Sequence, residues 1–283
     1  MEYKEEMNQP EYLLWLIEEK NVVLDNGERI NCYYLDYKDD ESVLDEWALH
    51  IRRHYISDED LSECCQELEL TPKEYLRKYV IPQKGEERLS GAARSNGISE
   101  ILFSDLMQFV YGLEVPRYRM DTMSGKTVSE HGTDIIGYKF YKEDKVPDSR
   151  DRLVSVEVKA GLTDKTADVI DKAVVDANKD EYRLSISLDY MRKKLKRMNK
   201  VDEAKDILRF QKKTAHDYIV ENYAAGISSL EIIPEDETAD GMTKIIPAIN
   251  GDELRLKGKA GIYFVHGKKL MDLTHKIYDR CVN

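Results

Sequence analysis

Apolar and polar residues alternate with a period of two in two runs near the middle of the chain, which predicts a β-hairpin. The runs are His131-Gly-Thr-Asp134-Ile-Ile-Gly-Tyr-Lys-Phe-Tyr141 and Arg152-Leu-Val-Ser-Val-Glu157-Val-Lys159-Ala-Gly161. Between them, residues 142–151 gather Asp, Pro and Ser, the chemistry of a turn. Pairing Tyr141 with Arg152 sets Asp134 opposite Lys159 and Ile136 opposite Glu157. Side chains alternate across a strand, so Glu157 and Lys159 share a face that Asp134 also uses. Two carboxylates and an ammonium then converge at one end of the hairpin.

Elsewhere the apolar spacing is helical. In residues 1–90 it predicts helices over 11–19, 42–55, 58–69 and 71–79, with a strand at 31–37 between the first two. Ser57 or Asp58 caps the third helix, and Thr71-Pro72 starts the fourth. Residues 100–111 read as a helix capped by Ser95, Asn96 or Ser99 and ended by Gly112. Glu100 then sits in its first turn, where the helix dipole favours a carboxylate whatever its role. A strand follows at 114–120. After the hairpin come helices at 163–178, 184–199 and 201–223, a Gly/Ser break at 226–229 and a polar loop at 236–241. Strands at 244–249 and 260–266 and a helix at 268–280 close the chain. The segment 260–266 is the better candidate for a parallel fourth core strand. The stretch 81–88, with Pro, Gly and charge together, is the best boundary, and it sets residues 1–90 apart from 91–283.

The converging charges suggest a chemistry. Carboxylate oxygens suit the hard cations Mg²⁺ and Mn²⁺, which keep several waters and use one or two acidic side chains. Such a cation activates water and neutralises a phosphate, and Lys159 would steady that water or the developing charge. The plainer reading is an exposed strand with alternating polar residues, since Glu-x-Lys is common by chance. Pro147-Asp148 also precedes Glu157, but it lies in the turn, about 25–30 Å from the Glu-Lys end at the rise of a strand. Asp148 is therefore read as a turn residue and Asp134 as the ligand.

Composition narrows the class. With 41% apolar and 35% charged residues the chain is a charged globular protein outside the disordered range. The charged start does not read as a secretory signal, and no apolar run approaches membrane-spanning length, so no membrane partner is expected. Cys32, Cys64, Cys65 and Cys281 lack Cys-x-x-Cys spacing, which fits a reducing cytoplasm. Residues 1–90 hold 11 Lys and Arg against 23 Asp and Glu, a net of −12 equal to that of the whole chain. The remainder is balanced. This acidic front either docks a basic partner or shields a site, or it is solvated surface.

A basic cluster, Arg192, Lys193, Lys196, Arg197 and Lys200, recurs at three- and four-residue steps. It is either a phosphate-contacting helix face or a solvated one. His50 and His54 have a two-ligand zinc spacing but no nearby third ligand, and they read as packing, capping or a domain contact. His131, ahead of the first hairpin strand, is placed to contact a phosphate or position Asp134.

The order of a helix with Glu100, a strand, a strand from Asp134, a strand with Glu157-x-Lys159 and a helix resembles the restriction-endonuclease-like PD-(D/E)xK core. His131-Gly-Thr-Asp134-Ile-Ile-Gly137, Gly97-Ile-Ser-Glu100 and Trp47-Ala-Leu-His50-Ile-Arg-Arg-His54-Tyr55 together resemble the DUF1837 family. That family includes HamA, the nuclease component of the Hachiman antiphage defence system. The resemblance implies a mixed sheet flanked by helices in 91–283, with a helical insertion at about 163–225, behind a helix-rich front. It implies a Mg²⁺- or Mn²⁺-dependent nuclease acting on DNA, with Asp134, Glu157 and Glu100 at the metal and Lys159 catalytic. It also implies a superfamily 2 helicase partner (HamB-like) to supply ATPase activity, for which this sequence carries no Walker A motif. The rival readings are a non-catalytic partner module of the helicase and a nuclease of the same type acting on RNA.

Overall fold

The computed structural model of the chain describes residues 8–20, 22–24, 27–86, 89–117, 126, 132–212, 215–233, 243–245 and 255–283. A 3-10 turn, Glu11–Trp15, leads into strands β1 (Leu16–Glu19), β2 (Val22–Leu24) and β3 (Asn31–Leu35). Helices α1 (Glu41–Tyr55), α2 (Asp58–Leu68), α3 (Pro72–Tyr75) and α4 (Ser90–Asp105) follow, and α3 and α4 each run on into a wider turn. The hairpin strands are β4 (Ile135–Lys139) and β5 (Arg152–Gly161). Next come α5 (Val169–Ala177), α6 (Asp180–Arg197) and α7 (Val201–Gln211), then β6 (Ile219–Ser228), β7 (Thr243–Ile245), β8 (Lys259–Gly267) and α8 (Leu270–Arg280).

Six strands form one mixed sheet in the order β1-β3-β8-β6-β5-β4. The central four, β3, β8, β6 and β5, are parallel, and β1 and β4 are antiparallel edges. Helices cover both faces, as a largely parallel sheet requires. On one face Val154, Val156 and Val158 of β5 share a core with residues of α1, α4 and α8, including Trp47, Leu102 and Ile277. On the other, Ala224, Ile262 and Phe264 pack under α5, while Ile136, Tyr138 and Leu153 pack under α6 and α7. The sheet runs across residue 90, since β1 and β3 belong to it. Part of the acidic front is spent internally: Lys276 pairs with Asp39 at 2.7 Å and Arg280 with Asp45 at 3.2 Å and with Glu41.

Several elements differ from the sequence-based expectation. Residues 11–19 are a tight turn and a strand, because Tyr12 is pulled in to stack on Trp47 at 3.9 Å. The helix bearing Glu100 begins at Ser90, so Glu100 lies mid-helix and the dipole explanation of its position lapses. The serines expected to cap it lie inside: Ser99 Oγ donates back to the Ser95 carbonyl at 2.7 Å. The strand expected at 114–120 reduces to a single bridge, Glu114 with Tyr138, and residues 118–120 lie outside the described set. Residues 219–223, expected at the end of a helix, open β6, and the anticipated break at Gly226 is inside that strand. A side chain at Gly226 would meet Val169 Cγ2 at 2.9 Å, so glycine here lets α5 lie on the sheet. The direct parallel neighbour of β5 is therefore β6, with β8 one strand further on.

Gly97 is the closest approach inside α4. A β-carbon there would collide with the hydroxyls of Tyr55 and Tyr278, which bond each other at 2.9 Å in the core. Gly97→Ala is expected to cost about 1–3 kcal/mol through this overpacking. Urea unfolding of the variant checks it, and a midpoint equal to wild type would contradict the packing described.

Candidate cation-binding cleft

The hairpin pairs Ile135 with Val156 and Lys139 with Arg152, two residues away from the expected register. The reason lies in the turn. Asp151, fully buried, accepts from the Tyr141 backbone N–H at 2.9 Å and from Arg209 at 2.8 Å, so Tyr141 belongs to the turn and leaves the ladder. A shift of two preserves the faces. Asp134, one step before β4, consequently falls beside Glu157, and its Oδ2 accepts the backbone N–H of Val158 at 2.9 Å. Asp148 accepts from Arg150 within the turn, consistent with a turn residue.

Lys159 Nζ lies 2.9 Å from Glu157 Oε1 and 2.9 Å from Asp176 Oδ2 on α5. Burial opposes its charge. The hydrogen bonds to Glu157 and Asp176, with the charges of Glu157 and Asp134, outweigh that and hold the ammonium above its ordinary value. Partial burial likewise works against the charge on Asp176, but Lys179 and Lys159 keep its carboxyl below the usual range. Asp176 is a participant the sequence did not disclose. It is one of many acidic residues on helices, and only the packing of α5 against β5 brings it to Lys159.

Glu100 reaches the site from the opposite face of the sheet. Past the start of the edge strand β4, it lines one cavity with Asp134, His54, Arg117, Ser104 and Pro116. Glu100 and Asp134 line that cavity, and Glu157 follows on β5 next to the Val158 N–H that Asp134 accepts; the donors these three side chains offer are oxygens, the chemistry of a hard divalent cation.

Behind the cavity, Asp105 is fully buried and accepts from Tyr12 at 2.5 Å, His50 at 2.8 Å and Arg117 at 2.6 Å. Burial works against its charge, but Arg117 and His50 hold the carboxyl well below its usual range. His54 Nδ1 donates to the His50 carbonyl at 2.8 Å, and burial, then Arg117, pushes its pKa down to about 3. The i, i+4 histidine pair was visible in the sequence. Its partner Asp105, 55 residues beyond His50, was not.

The basic helix α6 packs over the sheet face that carries Glu157 and Lys159. Arg192 and Lys193 are paired with Asp189, Lys200 Nζ lies 3.4 Å from the Arg117 carbonyl, and Lys196 and Arg197 are exposed. His131 lies outside the described residues.

Fold and site together define a mixed α/β protein with a carboxylate–lysine cluster on β5, next to the edge strand of its sheet. A model of the HamA family, the family of the Hachiman antiphage defence system, matches residues 10–281, and the chain belongs to that family. No curated protein matches the sequence. Among the described residues no helix is long and apolar enough to cross a membrane.

Replacing Asp176 with Asn removes one of the two carboxylates that hold the Lys159 charge. The Lys159 pKa is expected to fall, while staying above neutrality because Glu157 remains. Titration of the lysine side-chain resonances by NMR checks this, and an unmoved or raised value would contradict the pairing.

Proposed function

We propose that the chain is a metal-dependent nuclease of the restriction-endonuclease-like PD-(D/E)xK class. In this reading it hydrolyses DNA phosphodiesters as the effector of an antiphage defence system and is controlled by a partner helicase. The observation that carries the proposal is the grouping of Asp134, Glu157 and Lys159 at the end of β4 and β5, with Glu100 sharing a cavity with Asp134. Family membership supports the defence role, and the resemblance of the motifs supports the helicase partner.

The donor set assigns Asp134 and Glu157, with Glu100, to a Mg²⁺ or Mn²⁺ ion, consistent with its all-oxygen chemistry. When bound, such an ion supplies charge neutralisation and an acidified water. The chain's own residues do the rest. Lys159 remains an ammonium, held by Glu157 and Asp176, and counters the negative charge that grows on the phosphate. The Asp134 bond to the Val158 backbone fixes its carboxylate relative to Glu157. Lys196 and Arg197, exposed on α6, are suited to flanking phosphates, as a chain with net charge −12 needs local positive charge to approach DNA.

Plasmid cleavage by the purified chain, with Mg²⁺ or Mn²⁺ and with and without the partner helicase and ATP, tests the reading. Glu157→Ala and Lys159→Ala are each expected to lower cleavage by ~10²-fold or more with unchanged circular dichroism. Full activity in both variants would overturn the assignment of the site. Cleavage of RNA alone would change the substrate, and a wild type inert on both polymers would favour the non-catalytic partner module.

A further inference from the structure

A second cluster of donor groups lies at the other side of the sheet, where β1, β3 and β8 meet. Glu19 closes β1, and Cys32 is its direct cross-strand partner on β3. His266 on β8 is in register with Tyr34, two residues beyond Cys32. Directly opposed residues, and residues two apart along a strand, share a face, so all three side chains project to the same side. His266 Nε2 lies 2.7 Å from Glu19 Oε2, and Cys32 Sγ lies 3.5 Å from that same oxygen. One donor atom from each residue lies within 4.8 Å of the other two.

The surroundings of His266 are those of a positioned ligand. Its Nδ1 is 3.0 Å from the Leu230 carbonyl, which can only accept, so Nδ1 carries a proton and Nε2 is directed at Glu19 and Cys32. A backbone carbonyl on the far nitrogen is the usual way a metal-binding imidazole is oriented. Phe264 stacks on the ring at 5.6 Å and Tyr34 lies at 5.2 Å, which fixes its rotamer. His266 and Cys32 are buried, while the Glu19 side chain is 34% exposed and opens the cluster to solvent. The Cys32 thiol donates to the same carboxylate oxygen that pairs with His266, so three donors of different chemistry converge on one point.

We propose that Glu19, Cys32 and His266 form a Zn²⁺ site with three protein ligands and a water in the fourth position. Sulfur, nitrogen and oxygen donors together suit zinc, whereas Mg²⁺ and Mn²⁺ take oxygen ligands. Binding displaces the Cys32 thiol proton, and any proton on His266 Nε2, to solvent; the thiolate and the Glu19 carboxylate then balance the ion's charge in a neutral ZnSNO centre. The ion cross-links the first strand of the sheet to its last across 247 residues. The other mixed cluster, His50, His54 and Asp105, is less suited to a cation, because Arg117 already lies 2.6 Å from Asp105.

The test uses the full chain, loaded with zinc and desalted, with metal content and affinity measured by elemental analysis and chelator competition. Wild type and Glu157→Ala are expected to retain one equivalent each, which separates this site from the proposed nuclease cleft. Cys32→Ser and Glu19→Gln are expected to lose at least about tenfold in affinity. Cobalt in place of zinc is expected to give a thiolate-to-metal charge-transfer band in wild type that disappears in Cys32→Ser. The exposed Glu19→Gln carries the test should the buried Cys32→Ser fail to fold. A wild type without zinc, zinc bound equally tightly by the variants, or cobalt spectra without a thiolate band would overturn the proposal.

Discussion

Everything at the cleft depends on β5 being at once a core strand and a charged one. It has a strand on each side and helices on each face, so Glu157 is buried and Lys159 half-buried. A charge in such a place is tolerated only when paired. The Glu157–Lys159–Asp176 arrangement meets that demand, and it ties α5 to β5 where Gly226 of the neighbouring β6 lets the helix approach. Asp134 serves the same end from the hairpin. By taking the Val158 N–H it satisfies a backbone donor beyond the end of the β4 ladder, and so stands beside Glu157.

The two faces of the sheet have different tasks. Val154, Val156 and Val158 anchor β5 to the core shared by α1, α4 and α8, and this rigid side presents Glu100 around the edge of β4. The buried Asp105 network ties Tyr12, α1 and Arg117 together immediately behind the cavity, so three distant segments of chain set its back wall. The opposite face, under α5, α6 and α7, supplies Asp176 and the basic helix. Carboxylates are thus supplied from both faces of the sheet and the basic helix from one.

Donor chemistry separates the two candidate cation sites. The cleft offers oxygens alone, around an ammonium, and the cluster at β1, β3 and β8 offers a thiol, an imidazole and a carboxylate. Hard and borderline ions sort between such sets by ligand type more than by affinity alone. The strands that carry the second set include two from the acidic front of the chain. That front is therefore more than solvated surface: it supplies the edge of the sheet and part of its charge is neutralised by α8.

The sequence by itself determined those features that depend on local order. Period-two alternation located β5 to the residue and assigned Glu157, Lys159 and Asp134 to one face, because that assignment survives any even shift of register. Capping chemistry located α2, whose Ser57 side chain accepts the expected backbone bond. What only the tertiary structure decided was set by contacts distant in sequence. The two-residue register shift follows from Asp151, whose partner Arg209 lies 58 residues away. Asp176 reaches Lys159 only because α5 folds back on the sheet. β6 looked like the end of a helix because its two buried faces erase the alternation that marks a strand, and β1 is a strand only because β3 is there to pair with it.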